Sequence, residues 1–185
     1  HVTGQPALAL RNVLVDYAGR TNGAVIVQSH GDTEALMSII ERSEIAHSAT
    51  SGVQLNYRAT LKGNTFRGNV LAGVSVTTSG SGEISGNVFT ENGRSIIHRG
   101  TSNTVLRDNV AIGNTNNPIL YCATINSPQE WLRDIPREID CRVQMTTSSL
   151  KLQPGLVLLF GSSKEMVIDA GTLEAQGVIF TSNLP

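Results

Sequence analysis

Three groups of residues have the types that chemistry requires. The first closes the stretch Ile96–Ile97–His98–Arg99–Gly100, where an imidazole that can move a proton stands beside a guanidinium that can hold an anion. The repeat described below sets His98 and Arg99 near Tyr121 one turn on and Tyr57 two turns back. That would make an aromatic-flanked ligand site, but the favoured reading is a solvated strand end. The second group is His30, Asp32 and Glu34, which are metal-ligand types but lie in what reads as a polar surface loop over 28–36. The third is the pair Cys122 and Cys141. Two buried free thiols are one reading. A disulfide is favoured, because the 18 residues between them break the repeat and a clamp there would contribute about 3 kcal/mol. Metal binding is disfavoured, with no CxxC and no histidine near either sulfur. Trp131, the sole tryptophan, reads as a packing anchor ahead of a sugar-stacking platform. No nucleophile elbow, phosphate-binding glycine loop or zinc spacing is present.

The elements that carry these groups follow from the repeat. Asn64, Asn87 and Asn109 recur at spacings of 23 and 22, and Asn69, Asn92 and Asn114 recur at the same two spacings. A period near 22 marks a chain that coils, one turn per repeat. Ser43 and Asn12 extend the first marker column backwards. Ala9, Ile40, Leu61, Ile84 and Leu106 stand three residues before the marker; Leu14, Ile45, Phe66, Phe89 and Ala111 stand two after it. Apolar columns of this kind are inward-facing strand positions. A further column runs Val53, Val74, Ile97 and Ile119, and another Leu55, Val76, Arg99 and Tyr121. Arg99 breaks the last one. A one-residue slip that turns Ile96 inward is favoured over an arginine in the core, and a similar slip in the first turn would bring Ala24 and Ile26 inside. Asparagine at a corner tolerates the left-handed region and can bond to its counterpart in the next turn, forming a ladder.

Composition agrees with short strands and tight turns. Of 185 residues 18 are glycine, aromatics are 4% and charged residues 16%. A net charge of −1 offers no electrostatic case for nucleic acid or an anionic membrane as a partner, and no apolar run approaches the ~20 residues of a membrane span, so no membrane insertion is expected.

The GNxFxxN motif at Gly63–Asn69 and Gly86–Asn92 resembles the right-handed parallel β-helix repeat of the pectin-lyase-like superfamily. The resemblance covers residues 7–121. It implies an all-β, single-stranded right-handed parallel β-helix of about 22-residue turns, and only a weak expectation of chemistry, since the superfamily spans polysaccharide lyases, galacturonases, epimerases, tailspikes and adhesins. Inverting hydrolases need two carboxylates ~6.5–9.5 Å apart. Here Glu41 and Asp108, each beside an arginine near the marker column, are not on adjacent turns. The galacturonase and pectate-lyase motifs are missing. Ca²⁺ as a cofactor would need a carboxylate cluster, which the sequence does not show, so no cofactor is expected.

The period fails after Tyr121. Ser127, Pro128 and Glu130 form a helix-start signal, predicting a short helix ended near Pro136 within an excursion over 122–141. The order is then β-helix turns over 1–121, the helix-containing excursion, and further β turns over 142–185. The run LKLQPGLVLLFG…MVIDAGTLEAQG…IFTS resembles a segment of secreted bacterial β-helix proteins that leads into another run of repeats. With a start other than methionine, this implies a processed chain or part of a longer array, extracellular or at the cell surface, with end-to-end contact to another chain or to the rest of a parent protein. Three functions compete: a non-catalytic scaffold or glycan-binding module, which is favoured; a lyase, hydrolase or epimerase acting on a uronic-acid polymer; and an end-to-end assembly element.

Overall fold

A computed structural model describes residues 8–21, 23–28, 37–100 and 104–182. Every strand pairing among them is parallel, and no helix occurs among the described residues. The chain winds as a β-helix with three walls. The first stacks Ala9–Arg11, Ser38–Glu41, Arg58–Lys62, Ser81–Ser85 and Thr104–Arg107; the second stacks Leu14–Asp16, Glu44–Ala46, Thr65–Arg67, Val88–Thr90 and Val110–Ile112. The third runs unbroken through eight strands, from Val25–Val27 to Ile179–Ser182.

The registers show why these residues form walls. Leu10, Ile40, Leu61, Ile84 and Leu106 lie in one file, and Val15, Ile45, Phe66, Phe89 and Ala111 in another. Both files point inward, and the stacked rings of Phe66 and Phe89, 5.0 Å apart, fill the middle of the core. The asparagine columns are ladders. Asn92 Oδ1 accepts from the backbone N–H (3.0 Å) and side-chain amide (2.8 Å) of Asn69, while Asn92 Nδ2 donates to Phe66 O and Asn114 Oδ1. The Asn64–Asn87–Asn109 column repeats this pattern. The left-handed backbone falls one residue earlier than expected: Arg42, Gly63, Gly86 and Asp108 precede one column, and His47, Gly68, Glu91 and Gly113 the other. That tight bend aims the asparagine side chain into the coil, where its four hydrogen-bonding capacities replace strand pairing at the corner.

Two registers differ from the sequence reading. Leu14 pairs Glu44 and Val15 pairs Ile45, so Val13 and not Asn12 lies in the marker column; Asn12 takes the left-handed slot at φ 54°. In the same turn Leu10 and Val15, not Ala9 and Leu14, face the core. On the third wall Val25 pairs Val53 and Val27 pairs Leu55, leaving Ile26 outside where Ala24 and Ile26 were expected within. Pairing with the turn below decides these cases, because a one-residue shift exchanges the buried and exposed sets. The slip at Arg99 occurs as expected: Ile96 pairs Val74 and is fully buried, and Arg99 points outward.

The helix expected within 127–136 is absent. Gln129–Trp131 is a strand paired with Leu150–Leu152, and Arg137–Ile139 lies between Ile119–Tyr121 and Val157–Phe160 in the third wall. Ile119 stands opposite Arg137, eighteen residues on, so this stretch is a short turn of the coil. A two-turn helix would be marginal by itself and would leave the backbone of Leu150–Leu152 without its neighbour. The strand supplies that pairing and buries Trp131. At this turn the second wall stops at Val110–Ile112, and a new facet starts at Ile125, which bridges to Met145. Cys122 and Cys141 follow adjacent strands of the third wall, and their disulfide, Cα–Cα 5.4 Å, staples the two turns together.

Candidate functional site

The change of cross-section opens a cleft. Thr104–Arg107 and Gln129–Trp131 belong to separate sheets, and between them lies a cavity of about 350 Å³ lined by Thr104–Arg107, Tyr121 and Ser127–Leu132. Three polar atoms of the lining residues are buried without a protein partner: Thr104 Oγ1, Tyr121 Oη and Gln129 Nε2. The orientation of Gln129 follows from Trp131. The indole N–H can only donate, and it donates to Gln129 Oε1 at 2.9 Å, which leaves the amide NH₂ free. Tyr121 meets Trp131 edge-on at 4.6 Å.

Behind this wall the core is polar. His98, expected at a solvated strand end, is instead 1% exposed, because the slip that turns Ile96 inward turns His98 inward too. Its ring stacks on Tyr121, 4.8 Å apart and nearly parallel. Arg137 occupies the inward file of Ile119 and Leu158 and is fully buried. Its guanidinium lies 5.2 Å from the centre of the Trp131 ring, and Nη1 donates to Leu132 O and Ile135 O. Burial, helped by the Arg137 charge, pushes the His98 pKa down to about 4, so the ring is neutral at pH 7. Burial raises the Tyr121 phenol, with Arg137 pulling the other way. Burial also lowers Arg137, opposed by Asp134 and Tyr121.

Of the residues singled out by sequence, His98, Tyr121 and Trp131 are thus brought together, and Arg99 and Tyr57 are not. Arg99 is on the outer face, bonded to Asp140 at 3.3 Å. Tyr57 packs against the aliphatic core of the earlier turns. Cys122 and Cys141 are bonded to each other. His30, Asp32 and Glu34 lie outside the described residues. Of the carboxylates near the marker column, Glu41 is held in an outward ion pair with Arg11, as Glu83 is with Arg107, while Asp108 takes the left-handed slot at φ 56°. Among the described residues no group of three or more His, Cys, Asp or Glu is arranged to hold a metal. Sequence reasoning missed Arg137, since the helix reading of 127–136 never placed it on a strand. It also missed a surface dyad in which His47 Nδ1 meets Asp16 Oδ1 at 2.7 Å. There His47 Nε2 is taken by Arg67 at 3.1 Å, which leaves no ring nitrogen for proton transfer.

The family model described as "Right handed beta helix region" matches residues 2–130. No curated protein and no solved structure matches the chain significantly. The parallel three-walled coil, its asparagine ladders and the span of that match agree, and the chain belongs to the right-handed β-helix family.

Proposed function

We propose that this chain is a non-catalytic β-helix module of a secreted or cell-surface protein and that it binds a glycan in the cleft between Thr104–Arg107 and Ser127–Leu132. The observation that carries the reading is the set of three neutral polar atoms, Thr104 Oγ1, Tyr121 Oη and Gln129 Nε2, buried without partners beside an indole. A polyhydroxylated ligand supplies hydroxyls to such groups and an apolar face to the aromatic wall. The disulfide supports an oxidising compartment. Trp131 is the only tryptophan, so its fluorescence reports the cleft directly. Titration with a panel of neutral and uronic-acid oligosaccharides is expected to shift its emission saturably, with Gln129→Ala weakening binding roughly tenfold, as for one lost buried hydrogen bond. A panel that leaves both fluorescence and calorimetry silent overturns the reading. Unsaturated product or new reducing ends after incubation would replace it with a lyase or hydrolase.

A second reading, end-to-end assembly, is favoured by the last described turn. Ile168 and Phe180 continue the inward files of Met145 and Leu158, yet are about half exposed. Apolar side chains of this kind on a strand edge can seat a turn of the coil from a second copy.

A further inference from the structure

Arg137 is the one fully buried arginine of the described core, and its partners do not use all of it. A guanidinium has five N–H donors. Two carbonyls take Nη1, while Nε and Nη2 have no protein partner. Those two atoms form one edge of the planar group, the edge that grips a carboxylate or a similar planar oxyanion through two parallel hydrogen bonds. The nearest counter-charge does not fill it. Asp134 stands 3.8 Å from Nη1, beyond hydrogen-bond reach, and its oxygens are committed to the backbone N–H groups of Asn109 (3.1 Å) and Ile135 (2.9 Å). Asp134 therefore offsets part of the charge and supplies no hydrogen bond. The surroundings favour an added anion. Tyr121, whose hydroxyl is unpartnered, packs with Arg137 on the same Trp131 ring, and His98 is buried on the far side of Tyr121 with both nitrogens unpartnered. Burial of these groups without partners is costly.

We propose that the interior of the coil at this turn is a binding site for one carboxylate-sized planar oxyanion, held bidentately by Arg137 Nε and Nη2 with the Tyr121 hydroxyl as a further donor. The carboxylate can come from a free small anion or from an acidic sugar, since Tyr121 and Trp131, which pack beside Arg137, also line the cleft.

The test is thermal unfolding of the whole chain at fixed ionic strength, with sodium formate exchanged for sodium chloride and no glycan present. A saturable rise of roughly 5 °C is expected once formate greatly exceeds its Kd, and no rise in Arg137→Leu. A crystal grown in formate should show planar density on the guanidinium edge. Galacturonate set against galactose separates the sources: a shift with the acid sugar alone assigns the carboxylate to a glycan, and a shift with formate assigns a free anion. No shift with formate or galacturonate, an equal shift in Arg137→Leu, or water alone at the edge overturns the proposal. If Arg137→Leu does not fold, Tyr121→Phe, expected to weaken the formate response several-fold, and the crystal decide. A formate response with no oligosaccharide binding would leave this site standing and remove the glycan reading.

Discussion

Asn92 shows what a single side chain does in this coil. Its carboxamide makes four hydrogen bonds, all buried, to Asn69 (backbone and amide), Phe66 O and Asn114. Asn92→Ala strands the N–H of Asn69 and the carbonyl of Phe66 in the core, each costing about 1–3 kcal/mol. We expect a loss of about 3 kcal/mol or more in urea unfolding; a loss under about 1 kcal/mol would mean that the ladder is not a stabilising device. His98 is the second residue-scale case. Its folded pKa is about 4 against an ordinary 6.5. Between those values the unfolded chain takes up a proton that the folded one refuses, so stability is intact above pH 6.5, falls as pH drops toward 4 and then levels off. The loss from this group is about 3 kcal/mol. His98→Phe, which can still stack on Tyr121, should flatten that slope between pH 7 and 4.5; an unchanged slope would assign the acid sensitivity elsewhere.

Single elements add their own constraints. The disulfide joins two neighbouring strands of the one wall that is continuous across the change in cross-section. Reduction removes the staple where the second wall has stopped, and should cost about 3 kcal/mol, read as a lower urea midpoint by Trp131 fluorescence in reductant. A midpoint that does not move would show that strand pairing alone holds this turn. Gly82 is the second residue of the first-wall strand Ser81–Ser85, at φ 120°, and a Cβ there would lie 1.9 Å from Ala59 O on the turn before. Gly82→Ala therefore forces apart two strands that pair residue by residue. It is expected to lower stability by about 2–3 kcal/mol, through both backbone strain and the lost pairing. A near-neutral result in thermal unfolding would mean that this corner relaxes freely.

The whole molecule is a quasi-one-dimensional stack in which each turn touches its neighbours. Its last described turn leaves Ile168, Ile179 and Phe180 about half exposed. If that end seats another copy, light scattering should show a mass that grows with protein concentration, and Phe180→Asp should return it to a monomer. A constant monomer mass across the range would leave the end face without a self-partner.

The repeat period, inward files and asparagine ladders were legible in the sequence because a coil forces one residue type to recur wherever the same geometry recurs. The disulfide was legible as a favoured pairing, since the two cysteines flank the place where the period fails. Register in the first turn was not, because Asn12–Val13 and Ala9–Leu10 offer equivalent patterns one residue apart and only pairing with Ile39–Glu44 chooses. Nor was the turn over 122–139. Ser127–Pro128 carries a sound local helix signal, and the unpaired edge of Ser148–Leu152 outweighs it. The candidate site depends on that same contest. Once Gln129–Trp131 is a strand, Trp131 turns inward, Arg137 enters the core file and a cleft opens beside Thr104–Arg107. The sequence by itself determined the family of coil; only the tertiary pairing decided where the coil departs from its own rule, because that choice is made by backbone groups far apart in the chain.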